Sequence, residues 1–405
     1  MNLLILTDQF PYGHGEQFFE AELPELARHI DDITLIPIRP ALDNVRLREV
    51  PSSVSVRDDL TKQIVESVQE LKQQPLRALL STQESSILLR NIVRLGLRRR
   101  GAITSFWLHA HAIKNVLKQS GLLKDGTVMY SYWLMQGAYA AAMLKRKYPH
   151  LKAVARAHRY DVYSEYQSLK SLPFQREMIC WLDAVYVCNH VGRQYLVSKF
   201  PDLESKLKMR YLGAALQSQM STSSADRVLR LISCSSVIER KRLHLITDAL
   251  HNVKRRVHWT HIGDGPLLSE IKNAAKSLPD HIKVNFLGKI PHEDVISHFK
   301  KKPVDLFVNV SESEGLSVSL IEAMSFGVPC ISTDVGGMRE AVNDRNGYLL
   351  EKDFDIKALT EIIQNHESAS PAMRQAARDT QREKFSAQKN YSAFAEKLMQ
   401  PVSVC

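Results

Sequence analysis

Two glutamates, Glu314 and Glu322, stand eight positions apart inside SESEGLSVSLIEAMSFGVPCISTDVGG (residues 311–337), and their setting suggests chemistry. The preceding run VDLFVNV (304–310) has the length and apolarity of a buried strand. Ser311 to Leu316 read as a polar turn, and Ser317 or Ser319 can cap a helix reaching about Phe326. Gly327 and Pro329 stop that helix, and CISTDV resumes as a strand before Gly336-Gly337. Glu314 therefore falls on a loop at the carboxyl end of a strand. Glu322 falls about two turns along a helix whose amino end faces the same crevice, where open α/β sheets bind ligands. A helix start offers unpaired N–H groups to an anion, and two carboxylates beside it accept hydrogen bonds from hydroxyls. Phosphate flanked by polyols is the chemistry of a nucleotide sugar. The competing reading makes both acids solvated residues at a helix start.

The elements that must position these residues alternate between strand and helix, which argues for parallel sheets. The chain opens with strand LLILT, the loop FPYGHGEQF, a helix from about Glu16 to His29 and strand ITLIPI. A helical region from about 55 to 120 follows, then strands near Val128–Tyr130, Ala153–Ala157 and Ala184–Val187. The polar run QSQMSTSSADR (217–227) lacks large aliphatics and reads as a linker. After it come strands VLRLISCSS, VHWTHIG and KVNFLG with helices between them, and then the region of the two glutamates. A chain of 405 residues is long enough for two domains. The expected division is 1–216, a linker at 217–227, 228–385, and a final segment 386–405 whose helix spans about Tyr391–Met399.

The string S-x-x-E-G-x-S-x-x-x-x-E-A-M-x-x-G-x-P over residues 311–329 resembles the signature of the retaining glycosyltransferases of family 4. That resemblance implies the GT-B fold, an α/β architecture of two Rossmann-like domains facing across a cleft, with the final helix returning to the first domain. It covers the second half of the chain and, more loosely, the first. Gly263-Asp264-Gly265-Pro266, Gly336-Gly337 and Asn346-Gly347-Tyr348 match the family's turns in order and spacing. NFLGKIP (285–291), with Ile290, resembles the strand end where members hold the nucleotide base. By the same resemblance Glu322 binds ribose hydroxyls, Glu314 binds the donor sugar, and amides of Gly315, Leu316, Ser317 and Val318 bind sugar and phosphate. Lys241 takes the place of the family's diphosphate lysine. The family's arginine position falls on Ser236 and its glycine on Arg242, so either Arg240 or Arg242 supplies the missing charge, or backbone amides do. Arg156-Ala157-His158-Arg159-Tyr160-Asp161 resembles the first-domain motif whose histidine faces the donor sugar across the cleft. Pro11 to Glu16 resembles the glycine-containing first loop, which implies Gly15 near the phosphate and His14 near the acceptor. Tyr132 and Trp133 end another strand, suited either to stacking on an acceptor sugar or to core packing.

The net charge of +10 is uneven: residues 1–225 hold 29 Lys+Arg against 21 Asp+Glu, and the remainder 25 against 23. No acid occurs between Glu84 and Asp125, while Arg90, Arg94, Arg98, Arg99 and Arg100 alternate with aliphatics. That pattern suits an anionic membrane surface. A nucleic-acid partner is disfavoured, because no DNA- or RNA-binding motif accompanies the basic stretch. The opening MNLLILTDQF lacks the pattern of a secretory signal, and no run nears the ~20 apolar residues needed to span a bilayer. The five cysteines form no CxxC pair and suit a reducing compartment. Asp353-Phe354-Asp355 is better read as a helix cap than as a metal site, and no His/Cys set has ligand spacing.

These readings converge on a metal-independent, retaining hexosyl- or N-acetylhexosaminyltransferase without cofactor. Its donor would be a nucleotide sugar, with UDP the favoured nucleotide. Its acceptor would be a lipid-linked saccharide of a bacterial surface polysaccharide (O-antigen, capsule or exopolysaccharide), reached from the cytoplasm at the inner membrane face. A nucleotide-sugar epimerase of the same fold, or a non-catalytic scaffold of a polysaccharide assembly complex, are the alternatives.

Overall fold

The computed structural model describes residues 2–13, 15–40, 48–73, 82–167, 169–367 and 370–400. His14 lies outside these residues. The chain forms two compact units, one of residues 1–211 with the chain from Tyr391 onward, the other Leu212–Asn390.

The first unit is built on a parallel sheet of seven strands: β1 (Asn2–Thr7), β2 (Asp32–Pro37), β3 (Val54–Val56), β4 (Val128–Ser131), β5 (Lys152–Ala157), β6 (Ala184–Val187) and β7 (Leu207–Met209). Their order is β3-β2-β1-β4-β5-β6-β7, so chain direction across the sheet reverses between β1 and β4. The strands are apolar on both faces because helices cover both. Leu4, Leu6 and Met129 pack on one side with Trp107 and Tyr139, while Leu3, Ile5 and Tyr130 pack on the other with Phe19 and Phe394. The three-residue edge strands β3 and β7 were not anticipated. Each has one buried side chain and no apolar run, so the sheet edge creates them.

Two local expectations change. The first helix spans Phe19–Ala27 instead of starting at Glu16. Glu16 has φ +63 and turns its carboxylate back to accept from the backbone N–H groups of Asp8, Gln9 and Phe10. The final helix, Ala387–Met399, buries Tyr391, Phe394, Ala395 and Leu398 in the first unit. Its Phe394 lies under the guanidinium of the fully buried Arg156, 4.5 Å away. That arginine pairs with Glu22 at 3.1 Å and donates to the Tyr130 hydroxyl at 3.0 Å. A buried ion pair of this kind persists only because each partner satisfies the other.

The second unit is a parallel sheet of six strands: β8 (Leu229–Cys234), β9 (Val257–Ile262), β10 (Ile282–Gly288), β11 (Leu306–Asn309), β12 (Cys330–Thr333) and β13 (Gly347–Leu350). The order β10-β9-β8-β11-β12-β13 places the reversal between β8 and β11. Residues 217–227, expected to form a linker, are fastened to this unit. Ser221 N donates to Phe326 O, Thr222 O accepts from Val304 N, and Ser224 N donates to the buried Asp305. Their polarity serves these bonds.

Candidate functional site

In a doubly wound sheet the crevice opens at the carboxyl ends of the strands on either side of the reversal. In the second unit those ends carry the loops Ser235–Arg242, after β8, and Val310–Ser317, after β11. The sequence-derived residues meet there. Lys241 forms an ion pair with Glu314, and Arg240 stands 3.6 Å from the other carboxylate oxygen while donating to Ser313 O at 2.8 Å. Burial would raise the Glu314 carboxyl, but Lys241 and then Arg240 outweigh it, leaving the group below its ordinary range.

The structure separates the two candidate arginines. Arg242 points away, donating to Val310 O and Lys352 O, 2.8 and 2.9 Å away. Its backbone sits at φ +50, the conformation that favours glycine, which explains the family's preference at this position. Arg240 is thus the arginine beside Glu314, and Ser236 is exposed.

The helix Val318–Ser325 begins where the sequence placed it, yet Ser317 makes no side-chain cap bond. Its hydroxyl instead meets that of Ser319 at 3.2 Å, and Ser319 donates to Cys234 O. The first-turn amides have no intrahelical partners and carry the positive end of the helix dipole. Leu316 and Val318 are buried, so they offer the site backbone only. The loop is held from the β12 side by three contacts. Thr333 Oγ1 donates to Ser311 O, Gly337 N donates to Gly315 O at 2.7 Å, and Ser317 N meets Met338 Sδ. Gly336, at φ +56, lies so close that a Cβ there would come within 1.9 Å of Glu314 O.

Glu322 projects toward the loop after β10, where it accepts from or pairs with His292 Nε2 at 2.7 Å. His292 starts the helix that follows Ile290, so Glu322 and Ile290 are brought to one corner. His292 was missed: a lone histidine after a proline carries no signal by itself.

The first unit has its own cavity, of about 280 Å³, at the β1/β4 reversal. Gly15 and Trp133 line it, with Asp8, Gln9, Arg39, Gln136 and Tyr160. The last five were not anticipated, although Asp8 and Gln9 directly follow β1 at the ligand-binding end of the sheet. Trp133 both lines the cavity and packs, its Nε1 donating to Glu16 at 2.9 Å. Tyr132 is corrected as an acceptor contact: it is fully buried against Phe19 and has no surface to offer a sugar. His158 sits 4.5 Å from the Trp133 ring, and neither ring nitrogen has a hydrogen-bond partner among the described residues. Burial and then the nearby Arg156 push its pKa well below the usual histidine range, so the ring is neutral. Asp161, raised to about 7 by burial, receives the N–H groups of His158 and Leu134 and ties the ends of β5 and β4 together. Among the described residues, no three His, Cys, Asp or Glu side chains gather as metal ligands do.

Two parallel-sheet α/β units with these strand orders define the GT-B fold. HepE from Anabaena, solved in complex with UDP-glucose, superposes with a TM-score of 0.64 at 15% identity over 98% of this chain and 99% of that one. Residues 221–384, within the second unit, match the family model described as glycosyl transferases group 1. Among curated relatives, the N-acetyl-alpha-D-glucosaminyl L-malate synthase of Bacillus anthracis is 30% identical over 184 residues, 44% of this chain and 47% of the relative. The amylovoran biosynthesis glycosyltransferase AmsK of Erwinia amylovora is 27% identical over 144 residues, 33% and 35% respectively. The chain thus spans about half or less of the length of these two relatives.

Proposed function

We propose that this protein is a retaining glycosyltransferase that moves a sugar from a nucleoside diphosphate, UDP being favoured, to a lipid-linked saccharide during synthesis of a bacterial surface polysaccharide. One observation carries the reading: Lys241, Arg240 and Glu314 converge at the β8/β11 reversal beside the amino end of the helix Val318–Ser325. The relatives' roles in glycosyl transfer and HepE's UDP-glucose complex support it.

In this mechanism Lys241 and Arg240 leave Glu314 in part for the diphosphate, whose charge grows as the bond to the sugar breaks. The first-turn amides add to that stabilisation, Glu322 holds the ribose hydroxyls, and Ile290 flanks the base. Glu314, freed from its cations, accepts from sugar hydroxyls. Glu314 is engaged in binding, not attack. The acceptor oxygen therefore bonds to the anomeric carbon on the face the phosphate leaves, and its proton passes to the departing phosphate oxygen. The 280 Å³ cavity of the first unit receives the acceptor saccharide, with Trp133 beneath it. Charge neutralisation by lysine and arginine makes the reaction metal-independent.

Thermal-shift measurements with UDP-, GDP- and ADP-sugars test the reading. A donor at 100 times its Kd adds about 2.7 kcal/mol of stability. A shift with a UDP-sugar that survives EDTA supports it; no shift with any donor overturns it, and turnover of donor without acceptor would indicate an epimerase.

A further inference from the structure

The basic stretch of the first unit has a face that its sequence did not define. The helix Thr82–Leu95 turns Ile87, Leu88 and Asn91 inward, and Ile92 and Leu95 lean partly on the core. Leu89, Val93 and Leu97 point the other way and are 61%, 68% and 65% exposed. They are three of the six exposed large hydrophobic side chains among the described residues, and they fall within nine positions of one another. Gly96, at φ +97, ends the helix, and the turn Leu97–Arg99 carries the ridge onward.

Arg90, Arg94, Arg98 and Arg100 are exposed around this ridge, and Arg99 is half-buried with a bond to Leu95 O. None of the five takes part in an ion pair among the described residues. Along the sequence the nearest acid is Glu84, which is withdrawn: His111 meets it at 2.7 Å and Lys114 at 3.0 Å. In space Glu177 reaches the helix on its inward side, accepting from Asn91 Nδ2 at 3.2 Å, and Arg94 donates to the same asparagine. An exposed apolar ridge bordered by charge of one sign calls for a covering that is apolar within and anionic at its surface. Protein interfaces are enriched in aromatic anchors, whereas the exposed apolar side chains here, Leu89, Val93 and Leu97, are aliphatic. Among the described residues no helix is long and apolar enough to cross a membrane, so the contact lies at the surface of the bilayer.

We propose that Leu89, Val93 and Leu97 enter the headgroup–acyl boundary of an anionic bilayer while Arg90, Arg94, Arg98, Arg99 and Arg100 hold its phosphates. The inference deepens the reading of a lipid-linked acceptor by naming the surface on which the enzyme meets it. Vesicle binding is measured without donor or acceptor, so it stands or falls separately from sugar transfer.

The full chain is floated with vesicles of phosphatidylcholine, with and without phosphatidylglycerol. Binding to the anionic vesicles exceeds that to the neutral ones by at least ~10-fold, and falls with salt as the Debye length shortens to ~3 Å at 1 M. The triple variant Leu89→Ser, Val93→Ser, Leu97→Ser binds at least ~30-fold less. The variant Arg90→Gln, Arg98→Gln, Arg100→Gln loses the preference for anionic lipid. Both keep the wild-type melting temperature and donor-induced shift. Equal binding to both vesicle types, or unchanged binding by both variants, overturns the proposal. A wild-type dimer in light scattering that the leucine–valine variant converts to monomer also overturns it, by making the ridge a contact between copies.

Discussion

Lys241 and Glu314 hold each other in a largely buried ion pair, and each is worth most when the other is present. Under the proposed mechanism Lys241→Ala removes charge from beside the leaving diphosphate, so kcat and donor affinity should both fall. It also removes the first of the cations that offset burial at Glu314, so the carboxyl of the variant titrates at higher pH. The variant's residual activity should then rise with pH across a range where the wild type is flat. A pH–rate profile unchanged in shape would detach Lys241 from Glu314. Glu322 carries a different burden, since its partner His292 is exposed and only one carboxylate oxygen is engaged among the described residues. Glu322→Gln preserves size but weakens hydrogen bonds by about 1.5–3 kcal/mol. Donor KM should rise at least about tenfold with the melting temperature intact, and steady-state kinetics with varied donor decide it.

The loop Ser311–Ser317 is an element only because its neighbours clamp it. Gly336 permits the closest of those approaches, so Gly336→Ala combines a left-handed backbone, costing about 1–2 kcal/mol, with a collision against Glu314 O. Gly126, at φ +78 with open space around its Cβ position, is the internal control. Gly126→Ala should lower the melting temperature slightly, whereas Gly336→Ala should lower it more and also weaken donor binding. Equal effects on donor KM would mean that Gly336 does not shape the site. The same reasoning explains Arg242, whose strained φ is offset by its bonds to Val310 O and Lys352 O.

The chain leaves the first unit at Tyr211 and re-enters it at Tyr391, and the buried Arg156 fixes that return by facing Glu22, Tyr130 and Phe394 together. Arg156→Met should cost about 3–5 kcal/mol, because Glu22 would remain buried without its partner. With the donor on the other unit's loops, as proposed, calorimetry should show a lower melting temperature but an undiminished donor-induced shift. Much of this molecule follows from sequence alone. The strand–helix alternation and the place of Glu314 after a strand and Glu322 along a helix depend on short-range patterns of apolarity and turn residues, and Lys241 is assigned by the family resemblance. The edge strands β3 and β7, the withdrawal of Tyr132 into the core, the choice of Arg240 over Arg242 and the pairing of Glu322 with His292 were not legible there. The division of the arginine-rich helix into an inward face and an exposed ridge was equally hidden. Each depends on contacts between residues far apart in the chain, and side-chain direction at such contacts is set by packing that no local pattern encodes.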